Sequence, residues 1–433
     1  MKIQNLVLHN FRAFENLEIE FNPQLTVIVG QNGVGKTTIL EATAIAAGTL
    51  LHSLDGVSGS GIKRTDAHYK YFEMGSVIDV QSQYPVEVTA VGKMGNNQEH
   101  VVWTRALNSE NGKTTVGGAS EMIEISKEYQ KRLRNGDTTL TMPIIAYYGT
   151  GRLWDTHREK RGDILKKSTR TNGYIDSLDG MPNVKLMLNW FKRMAMKDIQ
   201  NLNPSPEFAA VRGAIEKCFS LLTGLEVREI QLDSDTLEIM IVYLDEKRNW
   251  VRMPLNQMSD GYRCTLSLIA DIAYRMATLN PQLSENILTE TDGVVLIDEI
   301  DLHLHPAWQQ RVLSDLTNIF PKVQFIVTTH APAVINSVKS ENLVILKDYQ
   351  VEKVQSQVYG KNVKSVLNEI MGVTERPPEV AKLFDEFYAQ LARKEFDSAQ
   401  NTLDKIYELR ENHDEEVASC MVKLKLERIR GKK

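Results

Sequence analysis

The 433-residue chain is poor in cysteine: three residues, Cys218, Cys264 and Cys420, stand far apart and match no zinc or disulfide spacing. A disulfide scaffold is excluded, and the three read as small apolar side chains in a reducing compartment. No apolar run approaches the ~18 residues of a membrane-spanning helix. The opening MKIQNLVLHNFRAF has no apolar core of a secretion signal. The expectation is a cytoplasmic protein with no membrane partner. An excess of basic charge is also missing. A formal net charge of −5 argues against a uniformly basic nucleic-acid coat, while leaving room for a local basic groove. There is no internal repeat and no sustained heptad pattern, so solenoids and long coiled coils are excluded.

What is present suits a soluble globular chain, with 42% hydrophobic and 25% charged residues. The start alternates in the manner of strands, and LTVIVG is an almost continuous apolar run of the kind a central strand needs. KTTILEATAIAAGTLL follows with helical spacing at Ile39, Ala42, Ala46 and Leu50. Residues 53–66 read as a mobile Gly/Ser loop. PVEVTAV and HVVWTRAL predict an antiparallel sheet, and TMPIIAYYGTGR a buried strand running into a loop. Residues 181–224 and 363–430 read as helical, with apolar stripes at Val184, Met187, Leu188, Phe191 and Met194, and at Val380, Leu383, Phe384, Phe387 and Leu391. GVVLIDE and VQFIVTTH are short apolar runs ending in polar residues, as parallel strands with functional carboxyl ends do.

Gly30-Gln-Asn-Gly-Val-Gly-Lys-Thr37 fits the P-loop pattern at a strand–helix junction. Its glycines let backbone amides surround phosphate oxygens, and the helix start adds a favourable dipole. Gly30, Asn32, Gly33, Gly35, Lys36, Thr37 and Thr38 are the expected nucleotide contacts. Lys36 is expected to reach the β- and γ-phosphates of ATP, and Thr37 to ligate Mg²⁺. In GVVLIDEID, Asp298 is the second expected Mg²⁺ contact and Glu299 the general base that activates water. His330 ends the next strand, in the same crevice, where it can hydrogen-bond the γ-phosphate. His303 and His305 lack further metal ligands nearby and read as loop-ordering residues. The basic run containing Arg158, Arg161, Lys166 and Lys167 is either a phosphate-backbone contact or a solvated face, since Asp155, Glu159 and Asp163 interrupt it. KLKLERIRGKK near the end is open in the same way.

This order of motifs resembles the ABC-type ATPases of the SMC and RecF kind. LVLHNFRAFENLEIEFNPQLTVIVGQNGVGKTTILEA is similar to their opening almost throughout. The resemblance implies that Arg12 approaches the nucleotide. It implies too that QMSDGYR is the signature motif, whose Ser259 and Gly261 contact ATP held by another subunit, and that Asp301 is the D-loop residue. Asp260 replaces the small residue usual within the signature, which implies slow or differently tuned hydrolysis. No Q-loop glutamine is evident; Tyr148, Gly149 and Arg152 occupy the corresponding lobe boundary. About 220 residues separate P-loop and signature, too few for the long arm of a chromosome tether. The tail lacks an acidic metal-binding set, so no intrinsic nuclease is expected.

AYYGTGRLW, DEIDLHLHPAWQ, TTHAPAV and a tail beginning GVTERPPEV are similar to the PtuA family of Septu antiphage systems, including versions encoded beside retrons. The expected fold is α/β. It is a two-lobed ABC ATPase head, with a mixed β-sheet core holding the P-loop, an antiparallel β subdomain, a short helical insertion and a C-terminal helical region. The expected divisions are 1–180 (lobe I), 181–245 (insertion), 246–345 (lobe II) and 346–433 (partner-binding tail). The resemblance implies a homodimer or higher homo-oligomer controlling an HNH nuclease of the PtuB kind, with a retron RNA–DNA as a further partner. Two alternatives stand beside it: a RecF-like repair ATPase that loads on DNA, and a nucleotide-gated scaffold that hydrolyses little.

Overall fold

The computed structural model describes residues 1–95, 100–151, 169–181, 184–201, 205–233, 235–236, 238–352, 354, 357–372, 377–409 and 415–430. The chain divides into two compact units, Met1–Lys361 and Asn362–Lys433.

In the first unit β1 (Lys2–Phe11) and β2 (Phe14–Glu20) form a hairpin. β3 (Leu25–Gly30) then delivers the chain into the P-loop and α1 (Lys36–Ala47). β4 (Tyr69–Met74) and β5 (Val77–Ser82) pair only with each other. β6 (Val86–Lys93) and β7 (His100–Leu107) complete an antiparallel sheet of order β2-β1-β6-β7. In β6 every second residue is buried, the alternation that PVEVTAV announces. α2 (Ser120–Arg134) follows, a helix that the sequence reading did not anticipate. Its SEMIEISKEYQKRLR is charged enough to pass for a surface segment, yet Ser126 and Gln130 are buried. They hydrogen-bond the Leu50 carbonyl (2.6 Å) and the Asp55 amide (2.8 Å).

β8 (Ile144–Tyr148) enters the main sheet, α3 (Val184–Asn201) and α4 (Pro206–Thr223) form a helical pair, and β9 (Val227–Leu232), β10 (Ile239–Leu244) and β11 (Trp250–Pro254) form a separate three-stranded sheet. Residues 181–245 are thus helical only in their first two thirds. α5 (Asp260–Leu279) and the short α6 (Ile287–Glu290) lead to β12 (Gly293–Ile297). α7 (Pro306–Gln309), α8 (Val312–Ile319), β13 (Val323–Thr328), α9 (Pro332–Ile335), β14 (Leu343–Lys347) and β15 (Gln350–Glu352) complete the unit. The main sheet runs β15-β14-β3-β13-β12-β8, with every pairing parallel except the edge hairpin β14–β15. Placing β3, β13 and β12 side by side brings the P-loop, Thr328–His330 and Asp298–Glu299 to one carboxyl edge. Such an edge is where open α/β sheets hold ligands.

α1 packs against both sheets. Trp103 of β7, fully buried, donates its indole N–H to the Ala46 carbonyl at 2.9 Å. Gln324, also fully buried, ties the sheets together: it accepts from the Ile3 amide (2.8 Å) and donates to the Ile3 and Asn22 carbonyls (2.6 and 2.9 Å). A buried amide left unpaired would be destabilising, so these three bonds are what let a glutamine lie in a strand of apolar neighbours.

The second unit holds α10 (Val363–Glu369), α11 (Pro378–Ala392), α12 (Phe396–Leu409) and α13 (Glu415–Arg430). Its core is Phe384, Phe387, Leu403, Ile406, Cys420 and Leu424, with Val380, Leu383 and Leu391 at the margin, the stripe expected from the sequence. β15 and the residues after it up to Lys361 group with the first unit rather than with this tail.

Candidate functional site

The P-loop is built by close approach. Gly30 lies against the backbone of β14, where an added Cβ would meet the Leu346 carbonyl oxygen at 2.3 Å. Gly35 adopts φ +98°, and its Cβ would run into the Phe14 ring at 2.5 Å. Only glycine fits either position. Lys36, the first residue of α1, is 6% exposed and folds back over the loop, donating to the Gly30 (3.0 Å) and Gln31 (2.8 Å) carbonyls. Burial lowers its pKa, against the pull of Asp298, Glu299 and Asp301. Asn32 and Gly33 are exposed at the loop's crest, and Thr38 is turned inward.

Thr37 and Asp298, 261 positions apart in the chain, meet: the Thr37 hydroxyl donates to Asp298 Oδ2 at 2.7 Å. Asp298 is 2% exposed and held from three sides. Thr328 donates its hydroxyl to Oδ1 at 2.5 Å, the Thr37 hydroxyl fills Oδ2, and its own amide donates to the Tyr148 carbonyl at 2.8 Å. Thr328 also accepts from the Glu299 amide at 2.8 Å. Glu299 stands in the left-handed region at φ 47°, a conformation that is strained for glutamate and common at functional turns. Thr329 donates to Asp301 Oδ1 at 2.5 Å, and the same oxygen accepts from the His330 amide at 3.4 Å. Burial, then the nearby Lys36, holds the His330 imidazole below its ordinary value, so it is neutral at pH 7. Thr328 and Thr329 were not singled out from sequence. Their signal is the pair of hydroxyls just before the histidine, on the strand adjoining the acidic one.

Arg12 is anchored rather than free to swing. At φ 49° it donates Nε–H to Asp66 Oδ1 at 2.8 Å, pairs through Nη1 with Glu41, and donates its amide to the Asp66 carbonyl at 2.7 Å. Burial alone would lower the guanidinium pKa, but Asp66 and Glu41 outweigh it and raise it. Asp66, 1% exposed, carries no motif signal at all.

Tyr148 is turned into the core and donates its hydroxyl to Asp271 Oδ2 at 2.7 Å. Arg275 shares that oxygen through Nε at 2.7 Å and spans to the Gly173 and Ile175 carbonyls, both at 2.9 Å. Strand alternation gives the opposite face to Tyr147. Arg152 lies outside the described residues, as do Arg158, Arg161, Lys166 and Lys167.

Ser259 caps α5 from extended backbone (φ −60°, ψ 156°) and makes no capping bond with its side chain. Asp260 pairs with Arg263 one turn on, at 2.9 Å. Gly261 is buried against the segment after Asp301: a Cβ there would meet the His303 carbonyl at 2.6 Å and the Trp308 ring at 3.2 Å. His305 accepts from the Ala307 amide at 3.3 Å and caps α7, a loop-ordering role. Among the described residues no hydrogen bond or ion pair joins Ser259 or Gly261 to the P-loop, and no group of three or more His, Cys, Asp or Glu could hold a metal.

Residues 5–220 match the family model of the AAA domain. The chain is 29% identical to a retron Ec83 probable ATPase of Escherichia coli, over 89% of this chain and 79% of that one. It is 26% identical to a Septu protein PtuA of Bacillus thuringiensis, over 90% of this chain and 89% of the relative. Over nearly its whole length the chain resembles the retron and Septu ATPases. Among solved structures it is similar to an Smc head bound to the C-winged helix domain of ScpA, at 20% identity and a TM-score of 0.48, covering 83% of this chain and 98% of that one.

Proposed function

We propose that the chain binds and hydrolyses ATP as the ATPase subunit of an antiphage defence complex, and that its nucleotide state controls an associated HNH nuclease. The observation that carries the nucleotide reading is the bond between Thr37 and Asp298. It brings a hydroxyl and a carboxylate to one point beside a phosphate-binding loop. That donor set fits Mg²⁺, which keeps most of its shell as water and phosphate oxygen and needs few protein ligands. When bound, the ion neutralises phosphate charge.

In this reading Lys36 exchanges the Gly30 and Gln31 carbonyls for phosphate oxygens, which removes the mismatch between a buried ammonium and two neutral acceptors. Glu299, set in place by the Thr328 hydroxyl, takes a proton from the attacking water. His330, neutral, donates to the γ-phosphate without adding a second fixed positive charge beside Lys36. Ser259 and the amides at the start of α5 contact the ATP of a second subunit, so ATP draws two heads together. Asp260, at the mouth of that helix, repels phosphate and slows turnover. The resemblance to retron and Septu ATPases supports the defence role, with the nuclease and a retron RNA–DNA as partners.

Phosphate release by the purified chain, compared with Glu299→Gln, tests the enzyme. Loss of a general base should lower the rate by about 10²–10⁴-fold. Equal rates in the two proteins would remove Glu299 from the reaction. Purification with its native gene neighbourhood tests the partner. A co-purifying nuclease supports the defence reading, and a chain that instead loads alone on DNA supports the repair reading.

A further inference from the structure

The parity of β8 puts an unassigned side chain beside the nucleotide site. β8 pairs in parallel with β12, Tyr147 opposite Leu296 and Tyr148 opposite Ile297. Lateral neighbours in a sheet share a face, and residues two apart on a strand share it too. Tyr147, Leu296 and Asp298 therefore point the same way, while Tyr148 points into the core. α1 covers this face. Its Glu41 lies one helical turn after Thr37, on the side that also meets Arg12. Asp298, Glu41 and Arg12 are the charged groups that act on the Tyr147 phenol.

The ring is clamped. Tyr147 is 8% exposed, and two glycines make its slot: a Cβ on Gly180 would meet Cε1 at 3.3 Å, and one on Gly149 would lie 3.6 Å from the hydroxyl oxygen. The Gly149 amide donates to the Gly180 carbonyl at 2.6 Å, and the Tyr147 amide to the Ser177 carbonyl at 2.7 Å, which fixes the backbone on both sides. The hydroxyl itself makes no hydrogen bond among the described residues and is not sealed from solvent. Burial, then Asp298 and Glu41, pushes the phenol above its ordinary value.

We propose that Tyr147 is a further residue of the nucleotide site, its hydroxyl hydrogen-bonding the water shell of the cation that Thr37 and Asp298 would hold. This rests on the nucleotide reading above.

The test is binding of a fluorescent, non-hydrolysable ATP analogue to the full chain, titrated with Mg²⁺ and again with EDTA, in wild type, Tyr147→Phe and Tyr148→Phe. Phenylalanine keeps the ring in its glycine slot and removes only the hydroxyl. The expected result for Tyr147→Phe is an unchanged affinity in EDTA, with the Mg²⁺-dependent gain cut by about threefold to tenfold, the loss of one hydrogen bond. Tyr148→Phe should melt at lower temperature yet keep the full Mg²⁺ gain. A wild-type gain in Tyr147→Phe overturns the inference and leaves the nucleotide site standing. Equal losses with and without Mg²⁺ overturn it as well, because the contact would then not involve the cation's shell. A wild-type chain that binds no analogue overturns the nucleotide reading and the inference with it.

Discussion

The P-loop side and the signature side of this molecule are built differently. On the P-loop side nearly every polar group is tied inside the chain: Lys36 to two carbonyls, Thr37 to Asp298, Asp298 to Thr328, Thr328 to Glu299, Arg12 to Asp66 and Glu41. On the signature side Ser259 is exposed and its side chain caps nothing, while Gly261 behind it is buried. A half-site wired to itself holds its groups in place, and a ligand enters by exchange, as Lys36 would trade two carbonyls for phosphate oxygens. In the proposed mechanism the Ser259 hydroxyl, which caps nothing in its own helix, is kept for a ligand from another subunit. Between them runs a strut, since α5, which follows Ser259, is fastened through Asp271 and Arg275 to Tyr148, on the strand beside the one that ends at Asp298.

Breaking the strut should have the largest effect. Arg275 is 2% exposed, and Arg275→Met strands Asp271, whose second oxygen already has no partner. The expected loss is about 3–5 kcal/mol of stability, read by urea denaturation. A loss under 1 kcal/mol, small on the scale of a broken buried pair, would mean the pair is dispensable. Breaking the P-loop side comes next: Lys36→Ala should weaken ATP binding by at least about a hundredfold, because two charge-assisted bonds to phosphate disappear. Calorimetric titration would show it, and unchanged affinity would remove the P-loop assignment. The smallest effect separates the two halves most sharply. Ser259→Ala should leave the affinity of a single head for ATP within about twofold, while weakening ATP-driven association by about tenfold, one charge-assisted hydrogen bond per site. If both fall together, Ser259 serves its own chain's nucleotide and the two halves are not separate.

Sequence carried much of this where chemistry demands a fixed pattern. The P-loop glycines, Thr37, Asp298 and the parallel strands that end at them follow from spacing and apolar runs alone, and the tail's stripe at Phe384 and Phe387 does too. It failed where two faces look alike. β8 is buried at all five positions, so IIAYY has no polar side to reveal that Tyr148 turns to Asp271 and Tyr147 to the opposite face. Asp66 could not be found because its role comes from a contact 54 positions away with Arg12. The pair Asp271 and Arg275 did carry a signal: opposite charges four apart inside an otherwise apolar helix are a buried ion pair waiting for a third partner.

The central claim is that each active site needs a second copy of the chain. Light scattering of Glu299→Gln, with and without ATP and Mg²⁺, tests it most directly, because that substitution holds ATP unhydrolysed without changing shape. The account predicts a mass that rises by a whole multiple when ATP is added. The same mass under both conditions would contradict it.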